Sequence, residues 1–164
     1  MNLPVRSIAA ALLVIGLTAA VLDKARAGGD DYFPPVTHKL TTDECGSCHM
    51  AFPPAMLPAA SWRRMMNELD QHFGDNASVD AETAASITRY LVANAADTGG
   101  RTYGRKLIRG VSNGAAPQRI TELPKWVHEH DEVSPREWKQ KDVGSKANCP
   151  ACHVDAQLGY FEDD

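Results

Sequence analysis

Apolar residues along the chain fall into a few short helical stripes separated by proline and glycine. An almost unbroken apolar run covers Ile8 to Leu22. From Ala51 to Ala60 the chain is apolar but carries Pro53, Pro54 and Pro58, each of which removes a backbone donor, so a kinked loop is expected. Trp62, Met65, Met66, Leu69, His72 and Phe73 then recur at helical spacing on one side, and Arg63, Arg64, Asn67, Glu68 and Asp70 take the other. This pattern predicts a helix capped by Ser61 and ended by Gly74. A second helix is expected after Ser78, with Asp80 and Glu82 in its first turn and Ala84, Ile87, Leu91 and Ala95 inside, Tyr90 beside them. Asp97-Thr98-Gly99-Gly100 reads as a linker.

Beyond the linker the pattern is weaker. Ile120 to Leu123 is short and apolar, and Pro124 breaks it. Trp126-Val127-His128-Glu129-His130 follows. In a strand Trp126, His128 and His130 share a face; in a helix Trp126 and His130 do so at i and i+4. Ser134-Pro135-Arg136-Glu137 is a capping box with proline at the first helical position, and Trp138 is expected to pack inward. The chain as a whole reads as mainly α.

Charge narrows the partners. Removing Arg6, Lys24 and Arg26 from 17 basic residues, and Asp23 from 21 acidic ones, leaves 14 and 20 for the chain after residue 27. A net acidic chain argues against nucleic acid. The excess lies in residues 28–100. Arg101, Arg105, Lys106 and Arg109 form a basic stretch whose expected role is a solvated face.

Residues 1–27 read as a cleavable signal peptide: Arg6 supplies the positive charge, the apolar run follows, and Ala25-Arg26-Ala27 offers a cleavage site. The run is short for a membrane span of about 20 residues, so the expectation is export and a periplasmic mature protein, with an uncleaved anchor as the competing reading. No later segment could span a bilayer.

The chemistry lies in two copies of one motif, Cys45-Gly46-Ser47-Cys48-His49 and Cys149-Pro150-Ala151-Cys152-His153. CxxCH is the c-type haem attachment pattern, in which two thiols form thioethers to the porphyrin and the imidazole binds iron. Disulfides or a redox dithiol would not require histidine at the same offset twice. A zinc site would place its cysteine pairs much closer together. All four cysteines are used, so two covalently attached c-type haems are expected, held by Cys45, Cys48, Cys149 and Cys152 with His49 and His153 on iron. Thr41-Thr42-Asp43-Glu44 has capping-box spacing and suggests that the first motif starts a helix; Asn148 is the expected cap for the second.

Opposite those histidines the residues leave a choice. His72 lies in an apolar stripe and needs a partner for its ring nitrogens, with Met65 or Met66 as rivals because methionine opposite histidine is common in small cytochromes c. His130 lies with Trp126 in either geometry and is preferred over His128. His38 sits in a proline-rich extended segment with nothing to orient it.

The run Glu44-Cys45, Ala51-Phe52-Pro53-Pro54, Leu57-Pro58, Ser61-Trp62, Met66 and His72-Phe73-Gly74, continued by Arg119-Ile120-Thr121, His130 and Asn148-Cys149 to His153, resembles the dihaem cytochrome c family of proteobacteria. The resemblance implies an N-terminal haem unit like a class I cytochrome c, over residues 28–98, and a smaller, irregular C-terminal haem unit over 99–164. It implies His72 and His130 as distal ligands and two haems each ligated by two histidines. It also implies electron transfer between redox partners, a membrane b-type cytochrome and a small monohaem cytochrome c, with no catalytic residues. A haem enzyme or gas-binding protein with one open iron is the alternative, and a subunit held in a membrane complex is a third.

Overall fold

The computed structural model describes residues 32–98 and 102–162. The signal peptide of residues 1–27, Gly99-Gly100 of the linker and Arg101 lie outside the described residues. Within them the protein is mainly helical, and β pairing is confined to two isolated bridges, Tyr32 with Tyr160 and His72 with Asp75. Five α-helices, α1 (Lys39–Cys45), α2 (Ala59–Asn67), α3 (Ala81–Ala93), α4 (Thr102–Leu107) and α5 (Pro124–Glu129), are interspersed with single 3₁₀ turns.

α3 forms with the expected inner face but begins at Ala81, so Asp80, expected in its first turn, stands just before it. Asp80 is the N-cap, its carboxylate accepting from the amides of Glu82 and Thr83, and Ile87 and Leu91 are buried on the inner side. α2 packs across α3, and α1 packs on α3 as well. The proline-rich loop holds them together. Leu57 O accepts from Ala96 N at 2.9 Å, Pro54 O accepts from the Trp62 indole at 2.7 Å, and the Asp97 carboxylate accepts from Ala59 N at 2.8 Å. α4 then lies on the 3₁₀ turn Pro54–Met56. Gly104 permits that approach, because a Cβ there would meet Ala55 O at 2.8 Å and the Ala96 Cα at 2.9 Å.

The hydrophobic core runs across the expected boundary near the linker. Phe33, Met56, Leu57, Trp62, Ile87 and Leu91 are continuous with Leu107, Leu123 and Trp126. The first and last described residues meet over this core. Phe33 N donates to Gly159 O at 2.8 Å, and the Phe33 ring stands edge-on to Phe161.

Several local expectations need correction. α1 begins before the Thr41–Glu44 box, so Thr41 is a buried helical residue and the first motif ends the helix. α2 begins at Ala59, so Ser61 is a buried residue of the helix and not its cap. The helix also stops at Asn67, short of Gly74; a 3₁₀ turn, Leu69–Gln71, follows and delivers His72 into a bend. Of the stripe beyond the helix, Leu69 packs against the core, whereas His72 is half-buried and Phe73 exposed. Pro124 does end the 3₁₀ turn Ile120–Glu122, and it also opens α5. The Ser134–Glu137 box closes, with the Glu137 carboxylate accepting from the Ser134 amide and hydroxyl, yet only a 3₁₀ turn follows it. The Asn148 side chain caps nothing; its amide donates to Asp142 O and Val143 O.

Candidate functional site

At the first motif Cys45 is the last residue of α1, and Gly46 closes the helix by donating its amide to Thr42 O at 3.0 Å. Cys48 and His49 lie in the turn beyond. Cys45 is half-buried and Cys48 exposed. Burial, with the Glu44 carboxylate beside it, pushes the Cys45 thiol above its ordinary value. His49 Nδ1 is 2.8 Å from Met50 O, and the ring lies 5.1 Å from that of Phe52. A carbonyl at that distance accepts the Nδ1 proton, which leaves the Nε2 lone pair available for a metal.

His72 faces it. The two imidazole centroids are 6.2 Å apart with planes inclined by 24°. Burial holds the His72 ring below its usual imidazole range, His49 and Arg119 acting in the same sense and Asp75 against it. Phe73 stands edge-on to His72 at 4.8 Å and has a φ of 53°. For a bulky side chain that left-handed conformation costs of order 1–3 kcal/mol and calls for compensating contacts.

The second motif repeats the arrangement on a different scaffold. Cys149–Ala151 is one 3₁₀ turn with Pro150 inside it, where its missing amide costs nothing. Cys149 is half-buried and Cys152 exposed, and burial pushes the Cys149 thiol up to about 11. His153 Nδ1 is 3.2 Å from Glu162 O. The partner is His130, which follows α5; the centroids are 6.1 Å apart and the planes inclined by 74°. His130 Nδ1 lies 2.8 Å from Trp126 O, and the Trp126 indole stacks on the ring at 4.0 Å and 14°. α5 is helical, so the i, i+4 relation of Trp126 and His130 holds. Trp138 stacks on His130 from further out at 6.1 Å, and Lys146 lies over Trp138. His130, Cys149 and His153 share an apolar cavity with Phe33, Met56 and Phe161.

The remaining candidates stand apart. His38 engages Thr41 Oγ1 through Nδ1 at 2.9 Å and Ser86 Oγ through Nε2 at 3.4 Å, and stacks on Tyr90. His128 has 82% of its side chain exposed and faces Asp131. Met66 is buried in the core and Met65 packs against it.

The model of one family, dihaem cytochrome c, matches residues 41–161. The chain belongs to the dihaem cytochrome c family. A diheme cytochrome c from Rhodobacter sphaeroides is 48% identical, with a TM-score of 0.71 over 78% of this chain and 99% of that one. The structure of DHC purified from Rhodobacter sphaeroides is 44% identical, with a TM-score of 0.64 over 77% of this chain and 99% of that one. A diheme cytochrome type c from Shewanella baltica OS155 is 40% identical, with a TM-score of 0.61 over 75% and 85% respectively. No curated protein matches.

As a dihaem cytochrome c the protein carries two covalently attached c-type haems, and its four cysteines supply two attachment motifs. The residues present fit the group. Each motif offers one half-buried and one exposed thiol, and a histidine whose Nδ1 is engaged by a carbonyl. Phe33, Phe73, Arg119 and Trp138 enter these surroundings without having been candidates. Trp138, expected to pack inward, and Phe73, part of the apolar stripe, carried a local signal; Phe33 and Arg119 did not.

Proposed function

We propose that this dihaem cytochrome is an electron carrier in which both irons are low-spin and held by two histidines each, His49 with His72 and His153 with His130. One observation carries the reading. Two imidazoles on a single metal, bound through nitrogen at about 2.0 Å, hold their centroids roughly 6 Å apart, and both pairs stand at that separation, 6.2 and 6.1 Å. When bound, the haem supplies a one-electron iron couple, and imidazole in place of methionine lowers its potential. The chain orients the ligands: the carbonyls of Met50, Trp126 and Glu162 hold His49, His130 and His153 in the tautomer that presents Nε2. Aromatic side chains stand beside the ligand rings, Phe52 at one site and Trp126 and Phe33 at the other. If each iron is held by its two histidines, a substrate would find no place on it, and the chain would act as an electron carrier and not as an enzyme.

Its setting follows from the same reading. The exported form is periplasmic, and no helix among the described residues is long and apolar enough to cross a membrane. The partners are redox proteins, a membrane b-type cytochrome on one side and a small monohaem cytochrome c on the other, met through a small, transient interface. Electron paramagnetic resonance of the oxidised protein, with carbon monoxide added to the reduced form, tests the core of this. Two low-spin signals and no carbon monoxide binding are expected. A high-spin signal or carbon monoxide binding to the native protein overturns it in favour of an open-site enzyme or gas-binding protein.

A further inference from the structure

The distal histidine of the N-terminal site sits in a turn that local sequence does little to fix. His72 leaves the 3₁₀ turn Leu69–Gln71 and is followed by Phe73 in the left-handed region and by Gly74 with a φ of 108°. Phe73 is 47% exposed, and it is the one non-glycine residue with positive φ among the described residues. A left-handed backbone at a bulky residue persists only where surrounding contacts over-determine it. What holds it comes from the other half of the chain. The Arg119 guanidinium lies over the Phe73 ring, 4.1 Å from its centroid, and the ring in turn abuts His72 edge-on at 4.8 Å.

The segment bearing Arg119 is itself anchored on both sides. The Gln118 side chain donates to Ser61 O of α2 at 3.4 Å, and Ile120 lines the cavity of His130 and His153. Arg119 is also oriented by Glu122, whose carboxylate is 3.5 Å from its Nε. Three consecutive side chains thus touch α2, the His72 turn and the wall of the second site.

We propose that Arg119 is a positioning residue for the distal ligand of the N-terminal haem, acting through Phe73 by a cation–π clamp. This rests on His72 being that ligand. The clamp fixes the tilt of the His72 imidazole against His49, so the C-terminal half of the chain sets the ligand geometry of the N-terminal haem. Glu122 pairs with the guanidinium, and Asp75 acts on His72 in the sense opposite to Arg119. The geometry asks for a flat cation on a ring face, so the arrangement is specific to the pair and not to charge alone.

The test is a cycle in the full dihaem protein: Arg119→Met, Phe73→Ala, the double variant, and Arg119→Lys. The readouts are the low-spin resonance signals and the potentials of the two haems, with His72→Ala used to assign the N-terminal signal. Expected is a shift in the signal and potential of the N-terminal haem in Arg119→Met, with the C-terminal haem unchanged. The double variant should match Phe73→Ala, because the guanidinium acts through the ring, and Arg119→Lys should lie between Arg119→Met and the wild type. A spectrum of Arg119→Met identical to wild type overturns the proposal, and so do additive shifts in the double variant or equal shifts of both haems. If His72→Ala leaves both signals intact, the ligand assignment itself has failed; if it removes one signal while Arg119→Met moves nothing, only the clamp has.

Discussion

The first histidine pair is presented by turns braced between α1, α2 and α3, whereas the second is presented by α5 and a single 3₁₀ turn with little regular structure around it. Despite that difference the centroid separations agree within 0.1 Å, while the planes are inclined by 24° in one pair and 74° in the other. Separation is what a common metal demands; inclination is what it leaves free. The difference therefore isolates what the scaffold contributes. Near-parallel planes follow where a turn and an aromatic clamp hold the distal ring. Near-perpendicular planes follow where a stacked indole holds it.

The comparison can be broken most severely by removing one distal ring at a time. His72→Ala should open the N-terminal iron alone and His130→Ala the C-terminal iron alone, each read as carbon monoxide binding to half of the haem in the reduced protein. The next effect sharpens it without mutation. Near-parallel imidazoles split the iron orbitals more than near-perpendicular ones, so the oxidised protein should show one rhombic low-spin signal and one with a larger, more anisotropic g-tensor. Loss of the larger-anisotropy signal in His130→Ala, and not in His72→Ala, would tie it to the C-terminal site. Third, the stack behind His130 can be removed: Trp126 is 8% exposed, and Trp126→Ala should cost about 3–5 kcal/mol in thermal unfolding. It should disturb the second signal and spare the first. Trp126→Phe should restore much of both.

The smallest expected effect concerns the first scaffold. Hydrogen bonds from Thr83, chiefly its hydroxyl, hold the Asp80 carboxyl below its ordinary value of 3.8. A depressed value in the folded state means that Asp80 stabilises α3 above the ordinary value and that this contribution fades as pH falls through the depressed one. Asp80→Asn keeps a capping side chain but loses the titration. The gap in melting temperature between wild type and Asp80→Asn should be small at neutral pH and narrow further in acid.

The attachment motifs were fully legible because thioether chemistry ties two sulfurs and a ring to fixed offsets within five residues. α3 is legible in its inner stripe, which acts within one element, but not in its start: Asp80, expected in the first turn, is the cap. His130 could be argued from Trp126 alone, because i and i+4 share a face in the helix that forms. His72 belongs to a stripe that outlasts its helix: the half-buried ring is presented from a bend after Gln71 and not from α2. Ser61 and Thr41 carried the side chains of caps and are buried inside helices instead. At both positions tertiary burial overrode a local preference for the terminus. The contact of Arg119 with Phe73, and of Phe33 with the second site, joins residues far apart in sequence, and no local pattern announces such a meeting.

The pairing of Tyr32 with Tyr160 and of Phe33 N with Gly159 O bears on the order in which the protein matures. The walls of the first pair come from residues 45–73 and close over short loops, apart from the Arg119 clamp. The second cavity includes Phe33 and Phe161, so it is closed by a loop spanning most of the chain. Closing such a loop costs entropy that local contacts do not repay, and contacts of that kind form late. A chain made from its N-terminus can shape its first haem site before residues 149–161 are in place; the second waits for them, so the contacts of Phe33 with Gly159 and Phe161 are among the last to lock.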